Sequence, residues 1–360
     1  MINVTKTFLP NLDEYQGRLQ QIWRNGWLTN NGPMVKELTN ELSKYLCVPR
    51  LELVTNGTLA LQLAIKALKL TGEIITTPFT YIATATAIEW EGCQPVFADI
   101  DESTFCINPV LIEKAITERT SAILATHVFG NPCDVIEIGK IAKKHNLKVI
   151  YDAAHCFGIK INGQSILLHG DISTLSFHST KLFHTVEGGA VVCRDEKVAE
   201  RVSLMKRFGH LGEDNYLEVG INAKISELHA AMGLCVLPHV GEIINRRRQC
   251  AEYYDELLGG VGLQWQQIPP EVEYNYGYYP VVFKDHETMM RIRAKLLKNG
   301  VAPRRYFYPS LNKLPYLQHF GYRSCPVSES LASRILCLPL SDGLLKDEIL
   351  KVSKVIMLAK

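Results

Sequence analysis

The chain lacks the short signatures by which several large enzyme classes bind their ligands. No G-x-x-x-x-G-K-[ST] occurs in its 360 residues, which excludes a P-loop, and no G-x-G-x-x-G follows the first predicted strand. A G-x-S-x-G elbow and an H-E-x-x-H helix are absent as well. The sequence therefore gives no support to a P-loop nucleotidase, a dinucleotide-dependent dehydrogenase, a serine hydrolase of this type or a zinc protease.

Long apolar runs and an excess of one charge are also missing. No run approaches the roughly 18 apolar residues of a membrane span, and the first residues show no pattern of a secretory signal. The chain has 39 Lys and Arg against 37 Asp and Glu, so no binding to nucleic acid or to a membrane surface is predicted. The dense basic cluster Arg246–Arg248 is predicted to form a solvated helix face.

The ten cysteines form no C-x-x-C pair, so no metal site is predicted. Several lie within apolar runs such as Val191–Cys193 and Leu336–Leu338, where a thiol behaves as a small hydrophobic group. We therefore expect free thiols and a cytoplasmic location.

Short β-rich runs alternate with helical patterns between residues 50 and 195, which predicts an α/β fold with a mostly parallel sheet. The order and direction of the last two strands stay open. The predicted strands are Leu51–Thr55, Ile74–Thr77, Pro95–Ala98, Ser121–Thr126, Lys148–Tyr151, Ile172–Phe177 and Gly189–Cys193. The predicted helices are Thr58–Leu68, Thr84–Trp90, Pro109–Ile116 and Val135–His145.

A second, smaller α+β domain is predicted from residue 238 to residue 360, after a large domain that covers residues 1–237. It begins with a long helix from about Pro238 to Leu258. Its other predicted elements are the strand Tyr278–Phe283, the helix His286–Lys298, the strand Val301–Tyr308 and the helix Glu348–Leu358.

A strand-to-helix turn at Thr55–Leu61 offers a seat for a phosphate group. Gly57 lets the backbone approach a ligand closely, and Thr58 adds a hydroxyl beside the free N–H groups of a helix N-terminus. The same pattern is typical of an ordinary threonine helix cap, so this turn alone leaves both interpretations open.

An apolar strand ends on an acid at Asp152, which is followed by two alanines. Such an aspartate has little room around it and is expected to face a ligand. A buried carboxylate needs a cationic or hydrogen-bonding partner, and a protonated pyridine nitrogen is one such partner.

A single lysine, Lys181, follows another strand in a loop rich in hydroxyl groups. An ordinary lysine has a pKa of about 10.4 and is a poor nucleophile, but desolvation or a nearby cation activates it. A phosphate seat, a carboxylate and a lysine are together the contacts that pyridoxal 5′-phosphate requires, so the sequence predicts that cofactor.

The order of these motifs resembles that of the DegT/DnrJ/EryC1/StrS family of sugar aminotransferases. The resemblance implies the aspartate-aminotransferase fold (fold type I), with a large, mostly parallel sheet domain and a smaller α+β C-terminal domain. The matching segments are Gly26–Pro33, Asn56–Thr58, Pro78–Thr84, Gly130–Pro132, Asp152–His155, Ser176–Lys181, Glu187–Gly189 and Gly220–Lys224.

The resemblance also implies roles around the cofactor ring. Lys181 matches the lysine that is linked to pyridoxal phosphate and that moves a proton during catalysis. Asp152 matches the acid at the ring nitrogen, Tyr81 the aromatic side chain that stacks on the ring, and His155 a position near its 3-hydroxyl group.

Contacts to the cofactor phosphate are implied for Gly57, Thr58 and Ser176. Asn222 matches a residue that reaches the phosphate bound by the neighbouring subunit. The resemblance therefore implies a homodimer in which both chains contribute to each active site.

The part of the site that would hold the substrate departs from the family pattern. Many relatives carry a His-Tyr pair near the sugar, whereas this chain has Arg305 and Tyr306, followed by Tyr308. Arg305, and Lys224 across the subunit interface, are candidates for binding a diphosphate or the carboxylate of the amino donor. Both could equally be surface cations.

The resemblance implies that L-glutamate donates its amino group and that a nucleotide-linked keto sugar receives it. The overall similarity favours amination at C4 of dTDP-4-keto-6-deoxyglucose, for a surface polysaccharide such as the O-antigen of lipopolysaccharide. Amination of a 3-keto isomer at C3 is the alternative.

Three other functions are alternatives to amination at C4 or C3. A dehydratase of the same family is disfavoured because dehydratases have lost the lysine that Lys181 matches. A cysteine desulfurase needs a cysteine in a mobile loop, and none is identifiable here. A regulatory protein that binds the cofactor without catalysis stays open.

Overall fold

The computed structural model describes residues 1–321 and 323–358. Its helices are α1 (Leu12–Asn25), α2 (Pro33–Leu46), α3 (Gly57–Ala67), α4 (Ala83–Trp90), α5 (Pro109–Ala115), α6 (Val135–His145), α7 (Glu196–Met205), α8 (Glu227–Val236), α9 (Val240–Leu258), α10 (His286–Lys298), α11 (Pro326–Arg334) and α12 (Lys346–Met357).

The strands are as follows: β1 (Ile2–Asn3), β2 (Leu51–Val54), β3 (Glu73–Thr76), β4 (Gln94–Phe97), β5 (Thr120–Thr126), β6 (Lys148–Asp152), β7 (Lys160–Ile161), β8 (Gln164–Ser165), β9 (Ile172–Ser176), β10 (Gly189–Cys193), β11 (His210–Leu211), β12 (Asn215–Tyr216), β13 (Val272–Glu273), β14 (Tyr279–Val282), β15 (Val301–Ala302) and β16 (Ile335–Leu338).

A seven-stranded sheet forms the centre of the fold, in the order β2-β10-β9-β6-β5-β3-β4. Strands β9, β6, β5, β3 and β4 pair in parallel, whereas β10 is antiparallel to both of its neighbours, β9 and β2. The mostly parallel α/β sheet predicted from the alternation of elements is confirmed. The direction of β10, which the sequence left open, is antiparallel, and the loop of residues 177–188 that joins it to β9 contains no crossover helix.

Both faces of this sheet are buried, and side chains alternate between them. Along β5, Ile123 and Ala125 belong to the larger apolar cluster on one face, and Ala122 and Leu124 belong to the cluster on the other. Helices must cover both faces of such a sheet. The two ends of the strands are then the places where polar side chains can meet a ligand.

The C-terminal part of the chain forms a separate apolar cluster around the antiparallel pair β14 and β16, with α9, α10 and α12 against it. Strand β1 pairs in parallel with β15, so the first residues of the chain join this part through their backbone. The predicted domain boundary at residue 237 stays a prediction.

The predicted strand Val301–Tyr308 is wrong beyond its second residue. Strand β15 ends at Ala302, and the residues that follow form a loop at the edge of a cavity. Pro303 and Pro309 have no N–H group to donate to a ladder, which accounts for the end of the strand and for the irregular backbone after it.

The basic cluster on α9 is solvated only in part, so the prediction is wrong for its central residue. Arg246 and Arg248 are exposed, but Arg247 is only 3% exposed and donates a hydrogen bond from Nη1 to the carbonyl oxygen of Gly277, at 3.2 Å. Arg247 lies on the buried side of α9, one turn after Ile243 and one turn before Ala251.

Among the described residues, no helix has the length and apolar composition needed to cross a membrane. The same ranges contain no group of three or more His, Cys, Asp or Glu side chains placed to hold a metal ion.

Candidate active site

A cavity of about 320 Å³ lies where the parallel strands of the large sheet end. It is lined by side chains that are the last residue of a strand or that follow it by a few positions: Asn56 after β2, Thr80 after β3, Thr126 in β5, Asp152 in β6 and Ser176 in β9. The carboxyl ends of strands in an open α/β sheet are the usual place for a ligand.

Lys181 lies in the loop between β9 and β10 and reaches into this cavity. Its Nζ donates a hydrogen bond to the hydroxyl oxygen of Tyr278, at 3.2 Å. Burial lowers the pKa of the Lys181 amine, and the nearby Asp152 carboxylate opposes that shift. A lowered pKa favours the neutral amine, which is the nucleophilic form.

Asp152 is only 6% exposed and ends strand β6. Its Oδ2 accepts a hydrogen bond from the hydroxyl of Thr84, at 2.7 Å, and its Oδ1 accepts one from the backbone N–H of Ala154, at 3.1 Å. Burial raises the pKa of the Asp152 carboxyl, and these two bonds and the charge of Lys181 lower it. The site thus holds a buried carboxylate whose acceptor oxygens are fixed in direction.

A chain of buried hydroxyl groups leads to Asp152. Thr126 donates to Thr80 at 3.0 Å, and Thr80 and Thr84 lie 3.0 Å apart. Thr84 uses its only hydroxyl proton on Asp152, so Thr80 must donate to Thr84. Every hydroxyl in the chain therefore points its proton towards the carboxylate.

The turn after β2 has the geometry of a phosphate seat. Asn56 caps α3 by accepting a hydrogen bond from the N–H of Leu59, at 2.9 Å, so the cap is Asn56 and not Thr58. The Thr58 side chain is exposed and, with Gly57, lies at the first turn of the helix, where N–H groups have no partner within the helix. A Cβ on Gly57 would lie 2.9 Å from the Cβ of Ser176, which keeps β9 close to this turn.

His155 lies on the other side of the cavity, in an aromatic layer. Its ring is parallel to that of Phe307, with centres 5.9 Å apart, and its Nδ1 accepts a hydrogen bond from the N–H of Phe129, at 3.1 Å. Burial holds the pKa of His155 well below its usual value, so the ring is neutral. Tyr81 lines the mouth of the cavity and is 58% exposed.

Asn222 and Lys224 do not line this cavity within their own chain. Both lie at the surface, where Lys224 Nζ donates to Asn222 Oδ1 at 2.6 Å. Lys224 lines a different cavity of about 710 Å³, together with residues such as Asn31 and Lys206. Asn222 is exposed, whereas Lys224 is partly buried, with its Nζ 5.2 Å from the centre of the Phe208 ring.

The residues after β15 divide between two adjoining cavities. Tyr306 lines the Lys181 cavity, as expected, but Arg305 and Tyr308 line a neighbouring cavity of about 440 Å³. Arg304, which sequence reasoning missed, lines both. Tyr306 also lines both cavities and forms part of the wall between them.

Sequence reasoning also missed Tyr278 and the threonine chain. Tyr278 is 97 residues from Lys181 in sequence, and no local pattern marks it. Thr80 and Thr84 carry a weak signal, since they follow a buried strand and are spaced by four residues, one helical turn.

The residues present fit pyridoxal phosphate. A buried carboxylate with fixed oxygens suits a protonated ring nitrogen, a lysine with a lowered pKa suits a carbonyl partner, and an open helix N-terminus suits a phosphate. All three groups border one cavity.

Comparison with known proteins also indicates an aminotransferase that uses pyridoxal phosphate. The family model described as "DegT/DnrJ/EryC1/StrS aminotransferase family" matches residues 11–357. The chain is 41% identical to a dTDP-4-amino-4,6-dideoxy-D-glucose transaminase of Shigella dysenteriae, over 96% of this chain and 95% of that protein. It is 39% identical to a transaminase of the same name from Escherichia coli, over 99% and 98%.

Among solved structures, that of DesI in the presence of its TDP-sugar product superimposes with a TM-score of 0.92 at 33% identity, covering 98% of this chain and 91% of the other. The prediction of fold type I is confirmed by this match. The chain thus belongs to the DegT/DnrJ/EryC1/StrS aminotransferase family and is an aminotransferase dependent on pyridoxal phosphate.

Proposed function

We propose that this enzyme transfers the amino group of L-glutamate to C4 of dTDP-4-keto-6-deoxyglucose and so forms dTDP-4-amino-4,6-dideoxyglucose for a surface polysaccharide. The observation that carries this proposal is the near-complete match, at 41% and 39% identity, to two transaminases named for that product. The intact lysine and carboxylate at the strand ends support catalysis over a purely regulatory role.

Lys181 is the catalytic residue of the proposal. Its Nζ would hold the carbonyl carbon of the cofactor, and its amine would move the proton of the donor's α-carbon. The lowered pKa of the Lys181 amine supports this role, because the neutral form is both the nucleophile and the base. Tyr278, at 3.2 Å from Nζ, fixes the direction of the amine.

Asp152 holds the protonated nitrogen of the cofactor ring. When bound, pyridoxal phosphate supplies an electron sink that stabilises negative charge at the donor's α-carbon. The chain contributes by keeping Asp152 ionised despite its burial, through Thr84 and the N–H of Ala154.

The remaining cofactor contacts follow from the walls of the cavity. Gly57, Thr58 and Ser176 line the cavity at the N-terminus of α3 and would hold the phosphate, since the helix dipole there favours an anion. Tyr81 and His155 also line the cavity and would contact the cofactor ring.

The proposed enzyme is a homodimer with shared active sites. Asn222 is exposed and lies outside the Lys181 cavity of its own chain, which supports a contact with the cofactor phosphate of a second subunit. Lys224 is hydrogen-bonded to Asn222 and, in this proposal, would contact the substrate bound in that same second subunit.

The proposal is tested by offering the holoenzyme L-glutamate with a panel of nucleotide-linked 3-keto and 4-keto sugars and identifying each product by NMR. We expect amination of dTDP-4-keto-6-deoxyglucose at C4 and no product with the Lys181→Ala variant. A product aminated only at C3 would replace the proposed substrate with its 3-keto isomer, and no amination of any sugar would contradict the proposal.

A further inference from the structure

Among the residues that the structure describes, three arginines and no acidic side chain line the cavity beside the active site. This arginine pocket has a volume of about 440 Å³ and takes Arg293 from α10 and Arg304 and Arg305 from the loop after β15. It shares five wall residues with the Lys181 cavity, among them Thr80, Tyr81 and Arg304. A ligand can therefore extend from one cavity into the other.

Several buried guanidinium nitrogens in this pocket lack a hydrogen-bond partner among the described residues. Nε of Arg293 and both Nε and Nη2 of Arg305 are buried and have no hydrogen-bond partner within the described ranges 1–321 and 323–358. Burial lowers the pKa of Arg305 and the positive charge of Arg293 lowers it further, whereas Tyr308 opposes this shift through its charge and a side-chain hydrogen bond. Buried donors without acceptors are costly, and the positive charges of Arg293 and Arg305 repel each other.

Tyr308 gives Arg305 a fixed orientation. The guanidinium carbon of Arg305 lies 3.4 Å from the centre of the Tyr308 ring, as in a stacked cation–π contact. A stacked guanidinium keeps its N–H edge free, and that edge matches two oxygens of a phosphate group in a bidentate contact. The pocket is therefore built for an anion with several oxygens.

We propose that the arginine pocket binds the diphosphate of the nucleotide-linked substrate, with Arg293 and Arg305 as its main contacts. This inference rests on the proposed function. A diphosphate adjoins the sugar directly, so it would occupy the neighbouring cavity while the sugar lies beside Lys181. Arg304, which lines both cavities, lies between the two parts of the substrate.

The competing occupant is a carboxylate of the amino donor. The α-carboxylate of glutamate is bonded to the reacting carbon and must stay within the Lys181 cavity. The side-chain carboxylate could reach further, but it carries one charge, whereas two arginines suit the two charges of a diphosphate.

The test measures binding of dTDP to the holoenzyme by calorimetry, with thymidine as the uncharged probe. Arg293→Gln and Arg305→Gln should each weaken dTDP roughly tenfold to hundredfold, as expected for a lost charge-assisted hydrogen bond. Thymidine binding should change far less. Lys295→Gln, an exposed cation on the same helix that lines neither cavity, is the matched control and should match the wild type.

Arg305→Lys separates loss of charge from loss of the bidentate edge, and it covers the case in which a glutamine variant fails to fold. We expect it to weaken dTDP by less than Arg305→Gln does. The half-reaction with glutamate alone, followed by the visible absorbance of the cofactor, addresses the competing occupant. If an arginine variant slows the half-reaction with glutamate by a factor equal to or larger than its loss of dTDP affinity, the pocket binds the amino donor.

Two results would overturn the inference: a wild-type holoenzyme that does not bind dTDP, or arginine variants that bind it as tightly as Lys295→Gln does. Failure of the proposed function gives a different result. If no keto sugar is aminated but dTDP affinity still depends on Arg293 and Arg305, the pocket stands and the proposed substrate is wrong.

Discussion

At the residue scale, Asp152 shows how the site resolves a conflict between burial and charge. The carboxyl is only 6% exposed, and burial alone would favour its protonated form. Thr84 opposes this by donating a hydrogen bond at 2.7 Å, and Thr80 and Thr126 extend the chain of donors behind it. A threonine at position 84 therefore acts on the cofactor through Asp152, as a positioning residue.

Thr84→Val removes this donor while keeping the shape of the side chain. Without the hydrogen bond the pKa of Asp152 rises further, so the carboxylate is protonated at a higher pH than in the wild type. We expect roughly tenfold weaker binding of pyridoxal phosphate. The loss of affinity on acidification should also begin at a higher pH. Fluorescence titration of the apoprotein with cofactor across a pH series measures both effects.

Two variants calibrate that titration. Asp152→Asn shows the largest loss of cofactor affinity that removal of the carboxylate charge can cause. Thr86→Val, on the same helix α4 but without a hydrogen bond to Asp152, is the matched control. A pH profile of Thr84→Val that coincides with that of Thr86→Val would show that Thr84 has no influence on the charge of Asp152.

The sequence predicts the residues that lie in short motifs and misses those that meet only in the folded chain. Lys181, Asp152 and Gly57 each follow a strand closely, so topology alone places them at one edge of the sheet. Tyr278 and Arg304 come from distant segments, and nothing near them in sequence marks them. The directions of Arg304 and Arg305 depend on an irregular loop, which periodicity does not describe.

At the element scale, the phosphate seat depends on how closely β9 approaches the turn between β2 and α3. The antiparallel strand β10 lies between β2 and β9 and begins at Gly189, where a Cβ would lie 2.8 Å from the backbone of Asn56. Gly57 leaves room for Ser176 in the same way. The glycines at these two positions therefore let three chain segments converge on the turn where we propose that the phosphate binds.

Gly57→Ala tests this packing. The added Cβ would lie 2.9 Å from the Cβ of Ser176, which is not the end of a flexible side chain, so the turn must move away from β9. We expect a loss of roughly 1–3 kcal/mol, as for other overpacked sites, and it should fall on cofactor affinity as well as on the free energy of unfolding. Equilibrium binding of pyridoxal phosphate and urea unfolding measure the two losses.

Gly139→Ala is the matched control for this substitution. Gly139 is exposed on helix α6, and a Cβ there meets no atom within 4 Å. That variant should gain roughly 0.5–1 kcal/mol of stability, since alanine favours a helix over glycine, and keep the cofactor affinity of the wild type. Unchanged cofactor binding in Gly57→Ala would mean that the phosphate does not lie at this turn.

Elements with regular apolar periodicity and well-defined ends are the most predictable from sequence. The predicted helices Val135–His145 and His286–Lys298 and the strand Gly189–Cys193 have the bounds seen in the structure. These segments carry clear apolar periodicity and strong ends, such as the Asp134 and Asp285 caps. The run Val301–Tyr308 misled because its aromatic residues lie between two prolines, Pro303 and Pro309, which have no N–H group for a strand ladder.

At the scale of the whole molecule, the Lys181 cavity of one chain does not contain Asn222 or Lys224. Both side chains lie at the surface beside a larger cavity that includes Lys206 and Asn31. If two chains pair through this surface, each supplies polar groups to the active site of the other.

Mixed dimers test this sharing of sites. Lys181→Ala chains combined with Asn222→Ala chains would give dimers with one intact site and one site that carries both changes. Asn222→Ala alone should weaken cofactor binding, because one charge-assisted hydrogen bond contributes roughly 1.5–3 kcal/mol. In the mixed dimer the site with native Lys181 should regain the wild-type affinity. An affinity still as weak as in the Asn222→Ala dimer would place Asn222 in the site of its own chain.

The account as a whole depends on Lys181 being the residue that binds the cofactor. Borohydride reduction of the holoenzyme, which makes the link between lysine and cofactor permanent, followed by proteolysis and mass spectrometry, identifies the modified residue directly. We predict one labelled peptide, modified at Lys181, and no label in a folded Lys181→Ala variant. A label on another lysine, or an equal label in the variant, would contradict the assignment of the active site.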